Sequence, residues 1–301
     1  MKVLSPRGLD EALAMLAESA GRREVVTPIA GGTDVMVSWH HREKNGLTLL
    51  DLSRVRELAV MNWNVVGGCF DQGSGGMGVP SFDLRRDAGA SPWLELGGLT
   101  TYWDVMQSRE AAAAYPLLGE AARQVGAVQI QTRGTWAGNI GNGSPAADGV
   151  PVLMAYDARV VLASVRGRRE VRLDEFYTGY RTSVRAADEL IVAIRLPPPA
   201  WDVQWFHKVG ARRAQAITKV GVALSHGANG WRVVANSVAP TVVRCRALEA
   251  SLDAGRTFTG PPDIESLLTA DISPIDDMRS TAAYRRRVLA RLIFFRLAEC
   301  A

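Results

Sequence analysis

The sequence predicts a mixed α and β protein of two domains, a larger one in which strands and helices alternate and then a smaller α+β one. Three observations carry this. The chain has 301 residues, about two domains at roughly 100 to 200 residues each, and its 47% hydrophobic and 22% charged residues suit a chain that buries a core. Its opening stretch, residues 1–56, alternates helix-like and strand-like periods. Pro197, Pro198 and Pro199 cannot continue a central strand, and they separate the larger region from a run of strand-like segments.

Ser5 and Pro6, followed by Leu9, Ala12, Leu13 and Leu16, predict a capped helix with proline in its first turn and Gly21 near its end. Residues 24–30 predict a short strand running straight into Gly31, Gly32, Thr33 and Asp34, and Val35, Met36 and Trp39 continue as a second helix before a strand over 47–52. Residues 62–93 break the pattern: Gly67, Gly68, Gly73, Gly75, Gly76 and Gly78, with Pro80 and Pro92, predict a long loop. Regular structure returns with a strand over 94–96, a turn at Gly97 and Gly98, a helix opening at Thr100 or Thr101, and another over 116–125. A helix over 150–156 and strands over 159–163, 170–173 and 190–196 follow. Beyond the prolines, 204–208, 218–225 and 232–237 predict an antiparallel sheet, and 241–252, 264–268 and 282–297 predict helices. On the last, Arg285, Arg286, Arg287, Arg291 and Arg296 interleave with Val288, Leu289, Leu292 and Ile293 and read as a solvated basic face.

Several function classes fall away. A formal net charge of +4, from 35 basic and 31 acidic residues, is spread thinly and lacks the basic stripe of a nucleic-acid binder. The opening Met1 to Arg7 has no apolar run, so no signal peptide is expected. No window reaches 18 consecutive apolar residues, so no membrane span is expected either. Cys69, Cys245 and Cys300 show no C-x-x-C spacing, which suits a reducing cytoplasm. Three thiols cannot supply the four ligands of an iron–sulfur cluster. His40 and His41 point different ways on a helix, His207 and His226 are isolated, and no metal site is expected on the chain. No G-x-S-x-G marks a hydrolase nucleophile.

The chemistry-bearing feature is a pair of glycine–threonine turns. Ala30-Gly31-Gly32-Thr33-Asp34 joins a strand to a helix, and Gly134-Thr135-Trp136-Ala137-Gly138-Asn139 sits just ahead of another helix. Glycine lets backbone N–H groups approach an anion closely, and a helix start adds partial positive charge. Facing one another, the turns would clamp a pyrophosphate without a Walker lysine, with Thr33, Thr135 and Asn139 adding hydrogen bonds and Asp148 taking a ribose hydroxyl. Gly141, Gly143 and Ala146 fit G-x-G-x-x-A, but no apolar strand precedes them and no acid follows at the required distance, so a Rossmann site is not expected.

These residues resemble the FAD-binding medium subunit of the molybdenum hydroxylases, the family of xanthine dehydrogenase and bacterial carbon monoxide dehydrogenase. The segments that carry the resemblance are 28–34, 96–101, 131–140 with 144–148, 176–181, 188–191 and 208–217, and they cover nearly the whole chain in order. The resemblance implies an α+β fold: a two-lobed PCMH-type, vanillyl-alcohol-oxidase-like FAD-binding domain over 1–197, with lobes of about 1–56 and 57–197. A small C-terminal domain over 200–301 would follow it, with an antiparallel sheet and helices. Ala137 stands where the family has a second glycine, Trp136 replaces a small aliphatic residue, and the loop at 62–93 is longer than usual.

The same resemblance implies the cofactor contacts. Thr27, Pro28, Ile29, Ala30, Gly31, Gly32, Thr33 and Asp34 would wrap the FAD pyrophosphate. Gly134, Thr135, Gly138 and Asn139 would hold its other side, with Val125 and Gly126 nearby. Asp148 would bind the ribose, Ile191 would pack by the flavin–adenine linkage, and Lys208 would lie near the isoalloxazine, followed by a stretch over 209–219 that affects acceptor access. The oxidoreductase implied is a cytoplasmic complex, a dimer of heterotrimers. A large subunit carrying the molybdenum cofactor would hydroxylate a purine, another N-heteroaromatic or an aldehyde. A small subunit with [2Fe–2S] clusters would pass electrons to FAD here and on to NAD⁺ or another acceptor. A stand-alone flavin oxidase or reductase, or a non-catalytic scaffold with degenerate loops, stays open beside it.

Overall fold

A computed structural model describes residues 1–37, 47–65 and 93–300 of the chain. In the N-terminal lobe, β1 (Lys2–Leu4), β3 (Thr48–Asp51) and β2 (Val26–Ile29) form a parallel sheet in that order, with α1 (Leu9–Gly21) crossing over between β1 and β2 and the short α2 (Thr33–Val37) following β2. Leu9, Ala12, Leu13 and Leu16 form the buried stripe of α1, as their spacing requires. The helix does not start at the expected Ser5-Pro6 cap. Gly8 occupies the cap position in an extended conformation without a side-chain bond, and the Leu9 N–H donates to Glu57 Oε1 at 3.1 Å. A distant carboxylate replaces the local cap. Trp39, His40, His41 and Cys69 lie outside the described residues, as does 66–92 of the expected loop. The first residues of that loop are in fact strand: β4 (Met61–Val65) pairs with β5 (Trp93–Gly97).

An antiparallel sheet of order β4-β5-β10-β6-β7 forms the centre, with β6 at Arg159–Ser164, β7 at Gly167–Arg172 and β10 at Leu190–Leu196. Alternation along the strands sends Leu94, Leu96, Val160, Leu162, Ile194 and Leu196 to one face. There they meet the main core, to which α3 (Tyr102–Gln107), α5 (Pro116–Gln124), α7 (Trp136–Asn142) and α8 (Gly149–Ala155) contribute. The opposite face gives Val161, Ala163, Leu190, Val192 and Ala193 to a second core shared with α1. The lobe of residues 1–56 is thus seated on the back of the central sheet. Arg195, almost fully buried on that side, is flanked by Glu95 at 2.7 Å and by Glu170.

Tyr115 donates its hydroxyl to Pro197 O at 2.7 Å, fixing the start of the proline segment. Beyond it, β11 (Trp201–Val209), β12 (Val220–Gly227), β13 (Arg232–Asn236) and β14 (Val243–Arg244) form an antiparallel sheet in sequence order. Three helices, α9 (Arg246–Asp253), α10 (Pro261–Leu268) and α11 (Ala282–Cys300), complete this domain. Its own core gathers Val220, Val222, Leu224, Val233, Leu248, Ile264, Leu289 and Ile293. However, Phe206, Ala223, Val234 and Val242 point the other way and join the main core, so apolar packing crosses the proline segment. The helix expected over 241–252 begins only at Arg246, because Val243 and Arg244 pair with β13 as an edge strand. The basic face expected on α11 is also incomplete. Arg285 is buried, donating to Ser237 O and Asp277 Oδ1 at 2.6 Å each.

Candidate functional site

The two glycine–threonine turns lie directly against one another. A Cβ placed on Gly31 would fall 1.6 Å from Arg133 O and 3.1 Å from Gly134 N, so only glycine permits this approach. Gly32 beside it has φ +74, the left-handed region that favours glycine, and accepts the Met36 N–H at 2.9 Å to start α2. In the second turn Thr135 caps α7: its hydroxyl accepts the Gly138 N–H at 2.9 Å, while its carbonyl accepts from Asn139. Asn139 Oδ1 is buried beside Gly149 at the start of α8, with no hydrogen-bond partner in the chain.

The second turn is held from behind by residues that sequence reasoning left out. Segment 100–102 zips against 134–136: Tyr102 N–H donates to Gly134 O at 3.1 Å, Trp136 N–H to Thr100 O at 3.2 Å, and Thr101 bridges Thr135. Thr101 also opens α3 through a capping box with Asp104. The Tyr102 ring packs on Gly134 and tilts against Trp136 at 4.9 Å between centroids. Burial raises the Tyr102 hydroxyl well above its usual value, helped by the charges of Asp148 and Asp34 and by Tyr177. Tyr177, on the hairpin of β8 (Tyr177–Gly179) and β9 (Thr182–Ser183), donates to Ile140 O at 3.0 Å near the end of α7. Loss of water raises the Asp34 carboxyl against the pull of Arg181, which stands at the tip of that hairpin with φ +53. The hairpin thus reaches both turns. Trp136 fits in place of the family's small residue because Gly149 leaves it room; a Cβ there would come within 3.1 Å of the indole.

Asp148 and Lys208 meet. Lys208 Nζ donates to Asp148 Oδ2 at 2.6 Å and to Gln124 O at 2.9 Å. The Thr218 hydroxyl donates to Asp148 Oδ1, and Asn236 Nδ2 donates to Ala147 O at 2.7 Å. Burial pushes the Asp148 carboxyl up, with Lys208, Thr218 and Asn236 pulling it back. Val125 and Gly126 follow Gln124 directly; Gln131 Nε2 donates to Val125 O at 3.1 Å, and Gly126 has φ +52. Ile191 lies on β10, with its Cδ1 beneath Gly141 of α7.

The structure therefore brings 27–34 and 134–139 into one cradle, with Ile191 behind it. It gathers 125–126, Asp148 and Lys208 into an adjoining polar knot between the domains. Tyr102, Tyr177, Arg181, Thr218 and Asn236 are the additions. Tyr177 and Arg181 fall within a segment that resembles the family, whereas Tyr102 and Asn236 carry no local signal.

Among the described residues there is no group of His, Cys, Asp and Glu able to hold a metal. A glycine cradle between two lobes, at the start of two helices, is the architecture of a protein that holds an organic dinucleotide cofactor. The model of the FAD-binding domain in molybdopterin dehydrogenase matches residues 83–199, and that of the CO dehydrogenase flavoprotein C-terminal domain matches 205–300. The chain belongs to the FAD-binding medium subunits of the molybdenum hydroxylases. It is 28% identical to caffeine dehydrogenase subunit beta of Pseudomonas sp. (strain CBB1), over 99% of this chain and 94% of that one. It is 26% identical to the carbon monoxide dehydrogenase medium chain of Hydrogenophaga pseudoflava, over 96% and 93%. The solved structure of carbon monoxide dehydrogenase from the same organism superposes with a TM-score of 0.79 over 98% of this chain and 95% of that one, at 24% identity.

Proposed function

We propose that this oxidoreductase subunit accepts electrons from [2Fe–2S] clusters on a small partner subunit and delivers them to NAD⁺ or another acceptor, while a large molybdenum-bearing subunit oxidises the substrate. The residues present fit the cofactor. Gly31 leaves no room for a side chain where the turns meet, and Gly134 none where Ile130 and Tyr102 back the second turn. Residues 27–34 would line one wall, Gly134, Thr135, Gly138 and Asn139 the other, with Val125, Gly126 and Ile191 at the margins. FAD supplies chemistry that accepts electrons singly or in pairs; the chain binds it, orients it and limits water around it. The Thr135 cap fixes the first turn of α7 beside the cradle.

The single observation that carries this reading is the abutment of Gly31 on Arg133, which makes two remote turns one binding surface. Three cysteines in 301 residues support the division of labour, since the clusters must reside on another chain. Similarity to a caffeine dehydrogenase subunit favours a purine or related N-heteroaromatic as the oxidised substrate. We further propose a cytoplasmic dimer of heterotrimers. The test is the absorption spectrum of the purified chain: flavin bands are expected, and should disappear in a folded Gly138→Val variant. A colourless, folded wild-type chain would sink the reading.

A further inference from the structure

We infer that Asp148 is a positioning residue that pins both feet of the exposed 210–217 loop, with Lys208 as its counter-charge, and that it acts behind the cofactor cradle. Lys208 lies at the end of β11 and Thr218 just before β12, so the two strands that enter and leave the loop converge on one carboxylate, one on each oxygen. All three side chains are inaccessible: Thr218 is fully buried, and the Lys208 and Asp148 side chains are 6% and 11% exposed. Further ties secure the same point. Lys219 N–H donates to Val209 O at 2.8 Å, Ser237 Oγ to Thr218 O at 3.0 Å, and Ser237 N–H to Pro145 O at 2.7 Å.

The loop itself has little else to hold it. Residues 211–215 and 217 are exposed, Gln215 sits at φ +52, and the guanidinium of Arg212 is spent on the loop's own carbonyls, Ala214 O at 3.0 Å and Gln215 O at 2.8 Å. An exposed segment with few buried contacts opens by itself unless its ends are fixed. Here the fixing group is a buried ion pair. Removing one member strands the other without water, which makes the arrangement all-or-none. Asp148 also closes the 144–148 segment and precedes α8, so the carboxylate joins the second cofactor segment to the loop.

Trypsin reads this directly, because Arg212 and Arg213 lie in the loop and Arg256 lies in a separate exposed loop of the same domain. In the full chain, Asp148→Asn strands the Lys208 ammonium and is expected to raise cleavage after Arg212 and Arg213 about tenfold relative to cleavage after Arg256. Lys208→Met should do the same, and Lys208→Arg should keep most of the protection. Thr218→Val, which leaves the ion pair intact and frees one foot, decides the matter if Asp148→Asn fails to fold, and should also raise the ratio. An unchanged ratio overturns the inference, and so does equal acceleration at both loops, which would mark a general stability role. Flavin content measured in the same samples separates the two readings. Flavin loss from Asp148→Asn at an unchanged cleavage ratio would make Asp148 a direct cofactor ligand, whereas the ratio can be read on a chain with no flavin at all.

Discussion

At Gly31 a single methyl group decides whether the cradle exists. A Cβ would overlap a backbone oxygen, which cannot rotate away, so the turns must separate. Gly31→Ala should therefore leave the far-ultraviolet circular dichroism intact while lowering flavin content about tenfold, equivalent to some 1.4 kcal/mol. Gly21, at the end of α1 with nothing within 4 Å, is the matched control: Gly21→Ala should keep full flavin. Thr135 works through one hydrogen bond to Gly138. Thr135→Ala should cost about 1 kcal/mol in denaturant unfolding, and Thr135→Ser should recover most of it. Equal losses in both would refute a capping role.

Arg285 shows how a single buried charge organises an element, here the N-terminal turn of α11. Its two partners belong to the end of β13 and to the turn before the helix, so it locks α11 to the sheet. Arg285→Met should cost on the order of 3 kcal/mol and lower the melting temperature by several degrees, while the exposed Arg287→Met should leave it within experimental error. The sequence placed α1, α5, α8, β10 and the β11–β13 sheet because each has a clear apolar period. It also found the two turns, since glycine next to threonine just ahead of a helix supplies both a close approach and a cap. It missed the burial of Arg285, since the periodicity of a helix says nothing about an aspartate arriving from another segment. Val243 and Arg244 read as helix because a two-residue strand has no period, and only β13 defines it. The Asp148–Lys208 pair, 60 residues apart, was legible as two candidate contacts to one cofactor and not as a contact between them.

For the molecule as a whole, acid should act before heat does. Arg169, bonded to both oxygens of Glu189, holds that carboxyl below its usual range, and Arg166 does the same for Asp188. Groups lowered on folding contribute stability above their unfolded values, about 4, and lose it as the pH falls through the folded ones. The melting temperature should accordingly hold steady between about pH 6 and 8 and drop below about pH 4.5; a rise on acidification would contradict these pairings. Metal analysis should find flavin without iron in the isolated chain, and iron and molybdenum only when the partner subunits co-purify. The main core, finally, reaches past Pro197 to Pro199 through Phe206, Ala223, Val234 and Val242. A chimaera that grafts a relative's C-terminal half at those prolines would import four foreign side chains into the space beneath the central sheet. The two halves can be shuffled between relatives only in combinations that conserve this shared volume, so the prolines mark a joint in the chain but not a seam in its inheritance.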